Sequence, residues 1–209
     1  MLIPFAEVYS FIKNQGRNIK GILHVGAHEC EERIDYNREG INDSVIYWVE
    51  GNKDKVEEMK QKNVPNIFHA LVDIEEHDVE FNITNNGQSS SILPLDTHSK
   101  HYPHIIVSEK RKMRTTTLKN IIEENSFPIQ NLDFWNFDIQ GAELLALKGA
   151  AEYLKYANYI YIEVNVETLY SGCALLPELD DFLALNGFQR VGIKLVEQGW
   201  GDALYLRVA

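Results

Sequence analysis

Short apolar runs alternate along this chain with longer stretches whose apolar residues recur at three- and four-residue spacing. The runs are GILHVG (21–26), SVIYWVEG (44–51), NIFHALVD (66–73), LDFWNFDI (132–139) and NYIYIEV (158–164). Each is short, rich in β-branched and aromatic residues and bounded by polar or glycine positions, which predicts buried strands. Between them, CEERIDYNREG (30–40) predicts a polar-faced helix ending at Gly40. KDKVEEMKQKN (53–63) predicts a charged helix with Val56 and Met59 inside, and GAELLALKGAAEYLKYA (141–157) one continuous helix. A further helix is expected from about Pro177 to Asn186, and an amphipathic one near the start, where Leu2, Phe5, Val8 and Ile12 share a face. Strands alternating with helices imply βαβ units and a mostly parallel sheet. FQRVGIK (188–194) and DALYLRVA (202–209) leave no room for a crossover helix, so they are expected to pair as an antiparallel C-terminal hairpin.

The stretch 79–118 breaks this rhythm. Two strand-like ends flank a polar middle that carries Ser89, Ser90, Ser91, His98, His101 and His104. An excursion of this length inside a small domain is usually functional or mobile. Lying between the third and fourth core strands, it is expected to cover the carboxyl edge of the sheet. No repeat, low-complexity tract or Pro/Gly-rich linker divides the 209 residues, so residues 1–209 read as one domain.

Composition narrows the function classes. With 44% hydrophobic and 24% charged residues the chain has the make-up of a globular protein, and a net charge of −11 disfavours a surface that tracks nucleic-acid phosphates. The one dense basic run, SEKRKMR (108–114), reads as a solvated face beside a strand. Two cysteines make no disulfide framework, the start lacks the basic region of a leader, and no run reaches the roughly 18 apolar residues of a membrane span. A cytoplasmic protein is expected, without a membrane or nucleic-acid partner and with homo-oligomerisation left open.

In an open α/β sheet, ligands sit beyond the carboxyl ends of the strands where strand order reverses. That rule selects Gly26, Ala27 and His28, then Glu50 and Gly51, Asp73, and Asp138. Gly26 lets a ligand approach the backbone, and Glu50 stands one βαβ step later, where a carboxylate can accept from both hydroxyls of a ribose. A pyrophosphate wants several glycines and an uncrowded helix start, whereas this loop runs straight into Glu29, Glu31 and Glu32. An NAD-type dinucleotide therefore fits poorly. A cationic, phosphate-free nucleoside suits the acidic setting, and S-adenosylmethionine is one.

HVGAHECEE, VEGN, LVD, NNGQSSSIL, RTTTL, FDIQGAELLALKGA, YIEVN and GDALYLR occur in the order seen in the FkbM-type S-adenosylmethionine-dependent methyltransferases, which this chain resembles over nearly its whole length. The resemblance implies the class I methyltransferase fold, a Rossmann-like sandwich with a seven-stranded, mostly parallel sheet. It also implies methyl transfer to an oxygen, often on a sugar or small metabolite. The family's first motif is usually Asp-x-Gly-Ala-x-x-Gly; here His24 stands in place of the aspartate and Cys30 or Glu31 in place of the last glycine. Glu29, Glu31 or Glu32 is left to supply a carboxylate for the amino-acid tail.

The cofactor-side candidates are thus His24, Gly26, Ala27, His28, Glu32, Glu50, Gly51, Asp73, Ser90, Asp138 and Gln140. A hydroxyl acceptor must also lose a proton, to a general base or with the help of a metal. Asp138, Glu163 and His101 are the catalytic candidates, and Asp138 with Glu163 offers the oxygen ligands that suit Mg²⁺. The competing readings are a helix cap for Asp138 and an internal hydrogen-bond anchor for Glu163. Glu143 suits a first helical turn, Asn165, Tyr170 and the helix from about Pro177 are placed to line an acceptor side, and Trp200 on its glycine-flanked turn is a candidate for sugar stacking. His24, His28 and Cys30 do not make a metal site, because His24 lies inside a strand and the other two beyond its turn. A domain that keeps the fold and binds cofactor without turnover is the alternative to an enzyme.

Overall fold

The computed structural model describes residues 1–208. An N-terminal helix α1 (Phe5–Asn14) precedes β1 (Ile22–Val25), α2 (Arg33–Arg38), β2 (Ile46–Glu50), α3 (Lys53–Gln61) and β3 (Ile67–His69). The chain then makes the short β4 (Val72–Asp73), the long β5 (Asp78–Thr84), one turn of helix α4 (His98–His101), β6 (Val107–Arg114) and β7 (Thr116–Thr117). Helix α5 (Leu118–Glu124) leads to β8 (Phe134–Phe137), α6 (Glu143–Gly149), β9 (Tyr159–Asn165), α7 (Leu176–Leu185), β10 (Phe188–Leu195) and β11 (Trp200–Arg207). Ala209, the last residue of the predicted final strand, lies outside the described residues.

Seven strands form one sheet in the order β10-β11-β9-β8-β1-β2-β3. All neighbours are parallel except β11, which runs antiparallel to both β10 and β9. The expected mostly parallel sheet with its antiparallel C-terminal pair is therefore present. Strand alternation sorts the core onto two faces. Ile22, Ile46, Trp48 and Phe134 pack with α1, α2 and α3, whereas Leu23, Val25, Val49 and Trp135 pack with α5, α6 and α7. Both tryptophans are core residues, as their setting in β-rich runs implies. Among the described residues no helix is long and apolar enough to cross a membrane.

Two expected elements are broken, for reasons that lie far away in sequence. The run 66–73 is not one strand: after β3 the chain bends at Ala70–Leu71, and β4 leaves the main sheet to pair in parallel with β7. The helix expected over 141–157 ends at Gly149 and continues as a 3-10 turn, Ala151–Tyr156. A Cβ at position 149 would stand 2.6 Å from the carbonyl oxygen of Asp73, so glycine lets the helix end press against β4. The helix after β1 also starts later than expected, at Arg33, because residues 26–32 form a coil.

The stretch 79–118 forms a β5–β6 antiparallel hairpin whose tip, 85–106, folds back toward the sheet. The basic run lies on β6, where Lys110 pairs with Glu80, Arg111 with Asp54 and Glu109, and Arg114 with Glu76 and Asp78.

Candidate active site

Strand order reverses at β1, which lies between β2 and β8, and a cavity of about 540 Å³ opens beyond the carboxyl ends of these strands. Its near wall is the coil after β1. The N–H groups of Gly26 and Ala27 both donate to Val49 O, at 2.9 and 3.1 Å, and fasten the coil to β2. Gly26 has φ +94°, and a Cβ there would lie 1.7 Å from Asp138 O. Only glycine lets β1 and β8 release their chains side by side at this point. His28 and Cys30 follow with φ of 42° and 54°, left-handed turns made without glycine.

Glu50 closes this side. Its Oε2 accepts from His28 N at 2.7 Å and its Oε1 from Asn52 N at 2.6 Å. The carboxylate is thus fixed by the coil it faces, with lone pairs left on both oxygens. Burial pushes its pKa up, against the two backbone N–H bonds. Beside it, His28 Nδ1 lies 2.7 Å from Glu31 Oε1. Burial works to raise the Glu31 carboxyl, but its bonds and charge interactions, led by His28, outweigh this and bring it down to about 2. Glu29 turns away to pair with Lys55.

The floor is a hydrogen-bonded set of carboxyls. Gln140 Nε2 donates to Asp138 Oδ1 at 2.7 Å and to Glu163 Oε2 at 2.8 Å, while Gln140 Oε1 accepts from the Tyr170 hydroxyl at 2.5 Å. Gln140 itself has φ +57°, and its carbonyl accepts from Ser91 Oγ at 2.8 Å. Burial raises Asp138, helped by the charge of Asp202; burial and the charges of Asp138, Glu143 and Asp202 drive Glu163 well above the carboxylate range. Glu143 lies behind them, its Oε1 accepting from Ile139 N and Gly141 N at 2.9 and 3.1 Å, so it caps the turn between β8 and α6. Burial lifts it to about 7.

The hairpin tip supplies the roof and far wall. Ser90 Oγ donates to Gly87 O at 2.7 Å and holds the tip's turn. His98 is 5% exposed, its Nδ1 without a partner and its ring 5.0 Å from that of Tyr102. Trp200 Nε1 donates to Tyr102 Oη at 3.0 Å.

Gly26, His28, Glu32, Glu50, Gly51, Ser90, Asp138, Gln140, Glu163, Tyr170 and Trp200 thus line one cavity. Other candidates lie elsewhere. His24 turns to the α2 side, where Nδ1 meets Tyr36 Oη at 3.0 Å, and burial lowers it to about 4, so it is neutral. Ala27, within the coil, is buried in the core on the α2 and α3 side. Asp73 accepts from Ile74 N at 2.6 Å and faces His77, away from the cavity. His101 pairs with Glu167 at the surface, and Asn165 is buried with Oδ1 unpartnered. Of the three excursion histidines, only His98 lines the cavity, since α4 is a single turn and sequence spacing gives no way to choose its inward face. Asp202, which accepts from the Tyr161 hydroxyl, also lines it; in sequence it is only the acid that opens the DALYLRVA run, and its place opposite Glu163 comes from the strand register. Among the described residues no group of three or more His, Cys, Asp or Glu side chains is arranged to hold a metal ion. The Asp138–Glu163 pair expected to take Mg²⁺ is instead spanned by the Gln140 amide.

The donor set fits S-adenosylmethionine. Glu50 presents a fixed, buried carboxylate for ribose hydroxyls, the glycine at position 26 leaves the backbone open, and the surrounding acids suit a sulfonium and an ammonium. Solved structures to which the chain is similar include magnesium protoporphyrin IX methyltransferase from Synechocystis PCC 6803 with bound cofactor (12% identity, 97% of this chain, 77% of that one, TM-score 0.49). A protein of the NADB-Rossmann superfamily from Streptococcus agalactiae (12%, 95% and 67%, TM-score 0.49) is another. A methyltransferase from Aquifex aeolicus is a third (11%, 99% and 90%, TM-score 0.44). No curated protein matches the chain in sequence. The model of the methyltransferase FkbM domain, however, matches residues 24–190, the span from β1 through the acid-lined floor into β10. The chain belongs to the FkbM family of S-adenosylmethionine-dependent methyltransferases.

Proposed function

We propose that this enzyme transfers the methyl group of S-adenosylmethionine to a hydroxyl of a saccharide or other small acceptor. The observation that carries the reading is the Asp138–Gln140–Glu163 set at the floor of a cavity whose other side is built around Glu50. When bound, the cofactor supplies an activated methyl group, so the protein's task is alignment and proton removal. Holding donor and acceptor in register is worth roughly 7–11 kcal/mol at best.

Glu50 and the coil at Gly26 and His28 take the nucleoside. Asp138 and Glu163 stay near one another because Gln140 donates to both, and burial with mutual repulsion makes the pair a stronger base than free carboxylates. One of them accepts the proton of the acceptor hydroxyl. The segment 79–118 closes the cavity from above through Ser89, Ser90 and Ser91.

Calorimetry with S-adenosylmethionine and its demethylated product tests the donor half, and methyl release with sugars and small alcohols tests the acceptor half. Binding unchanged by Glu50→Ala, or turnover unchanged by Glu163→Gln, would sink the reading. Binding without turnover across the whole acceptor panel would favour a cofactor-binding domain without catalysis.

A further inference from the structure

Charge in the cavity is lopsided. Asp138, Glu163 and Asp202 line it from β8, β9 and β11, and Glu32 from the coil after β1. Among the described residues that line it there is no Lys or Arg. His28 is matched by Glu31, and the other facing cation is the chain's amino terminus, 3.7 Å from Glu32 Oε1 and also within the field of Asp202 and Asp138, with Leu2 N donating to Asp202. Gln140 bridges two of the acids but brings no charge. The methyl donor carries a sulfonium, an ammonium and one carboxylate, hence a single net positive charge, and its binding leaves the wall negative. Glu163 and Asp202 are opposite one another in the β9–β11 register, on the side of β8 away from the Glu50 half.

The same side carries an independent feature. His98, 5% exposed and with Nδ1 unpartnered, lines the wall with its ring 5.0 Å from Tyr102 and 5.5 Å from Tyr170. The Trp200–Tyr102 hydrogen bond holds one more aromatic ring, that of Trp200, at this edge. Aromatic faces together with buried carboxylates are what an ammonium group selects. His98 does not oppose a cation, because burial, with His101 and His104 nearby, lowers its pKa and keeps the imidazole neutral at neutral pH.

We infer that the His98, Tyr102, Trp200, Glu163 and Asp202 side of the cavity is the acceptor subsite, that it takes a hydroxylated ring bearing a protonated amine, and that it rejects rings bearing phosphate or carboxylate. The inference rests on the methyl-transfer reading and names its substrate class. An ammonium beside Glu163 favours its ionised form, which burial and the neighbouring acids oppose, and an anion there adds to that opposition.

The test is titration calorimetry of the full chain, first with S-adenosylhomocysteine and then, on the saturated protein, with glucosamine, glucose and glucuronate. Glucosamine is expected to bind about tenfold or more tighter than glucose, glucuronate to give no binding, and both Glu163→Gln and Asp202→Asn to erase the preference. Equal binding of glucosamine and glucose, binding of glucuronate, or no binding of glucosamine to a protein that holds S-adenosylhomocysteine overturns the inference. Failure of S-adenosylhomocysteine itself to bind overturns the methyl-transfer reading, and the inference with it.

Discussion

The hydroxyl of Tyr170 donates to Oε1 of Gln140 over 2.5 Å, and this bond decides which end of the amide faces the carboxylates. With the oxygen held by tyrosine, the NH₂ end points at Asp138 and Glu163. Removing the hydroxyl frees the amide to turn its oxygen toward two acids. Tyr170→Phe is expected to lower kcat about tenfold while leaving cofactor affinity within about twofold. Its cost in stability is about 1 kcal/mol, the usual worth of one buried hydrogen bond. Steady-state kinetics beside cofactor calorimetry checks this; a fall in affinity with kcat unchanged would place the hydroxyl's role elsewhere.

Gly26 tolerates no side chain. With φ +94° and Asp138 O only 1.7 Å from any Cβ, Gly26→Ala must push β1 and β8 apart at their ends. A loss of about 4 kcal/mol or more in urea unfolding is expected, at the severe end for single substitutions. A wild-type unfolding midpoint for this variant would show that the coil can be rebuilt without the close approach.

His24 makes acid destabilising. Its pKa is about 4 in the fold against 6.5 for a free side chain, so between these values the unfolded chain binds a proton that the fold refuses. Stability contributed by the neutral ring is complete above pH 6.5 and is lost as pH falls toward 4. Relative to His24→Gln, wild type should lose about 3 kcal/mol over that window. Parallel stability–pH curves for the two proteins would contradict the buried neutral assignment.

Glu143 has the opposite slope. Its carboxyl is lifted to about 7 from 4.5, so the fold holds a proton that the unfolded chain releases as pH rises through this range. Wild type is expected to lose up to about 3 kcal/mol between pH 4.5 and 7 relative to Glu143→Gln. The glutamine oxygen still accepts from Ile139 N and Gly141 N, so the cap survives and the variant is the more stable protein above pH 7. Urea titrations at pH 5 and pH 8 read the difference directly.

Elements that bury a continuous apolar run were legible in the sequence, as β1, β2, β8 and β9 illustrate, because a parallel strand covered on both faces needs nothing more than its own residues. What could not be read depends on partners far along the chain. The split between β3 and β4 needs Thr116 and Thr117, and the end of α6 needs the backbone of Asp73 against Gly149. In the site, Glu50, Gly26 and Asp138 followed from their places at strand ends. His24 did not, since strand alternation sends it toward Tyr36 and Trp48, onto the face away from the cavity. Cys30, where the resemblance leads one to expect a glycine, adopts a left-handed turn with φ 54°.

The excursion over the cavity leaves and returns at one place: His77 N donates to Thr115 Oγ1 and Thr115 N to His77 O, each at 2.9 Å. A loop whose ends are already joined can change length at a cost that grows only with the logarithm of its size. The roof of this enzyme therefore hangs from a base that β4 and β7 close, and a change in its length reaches that base as little more than loop entropy.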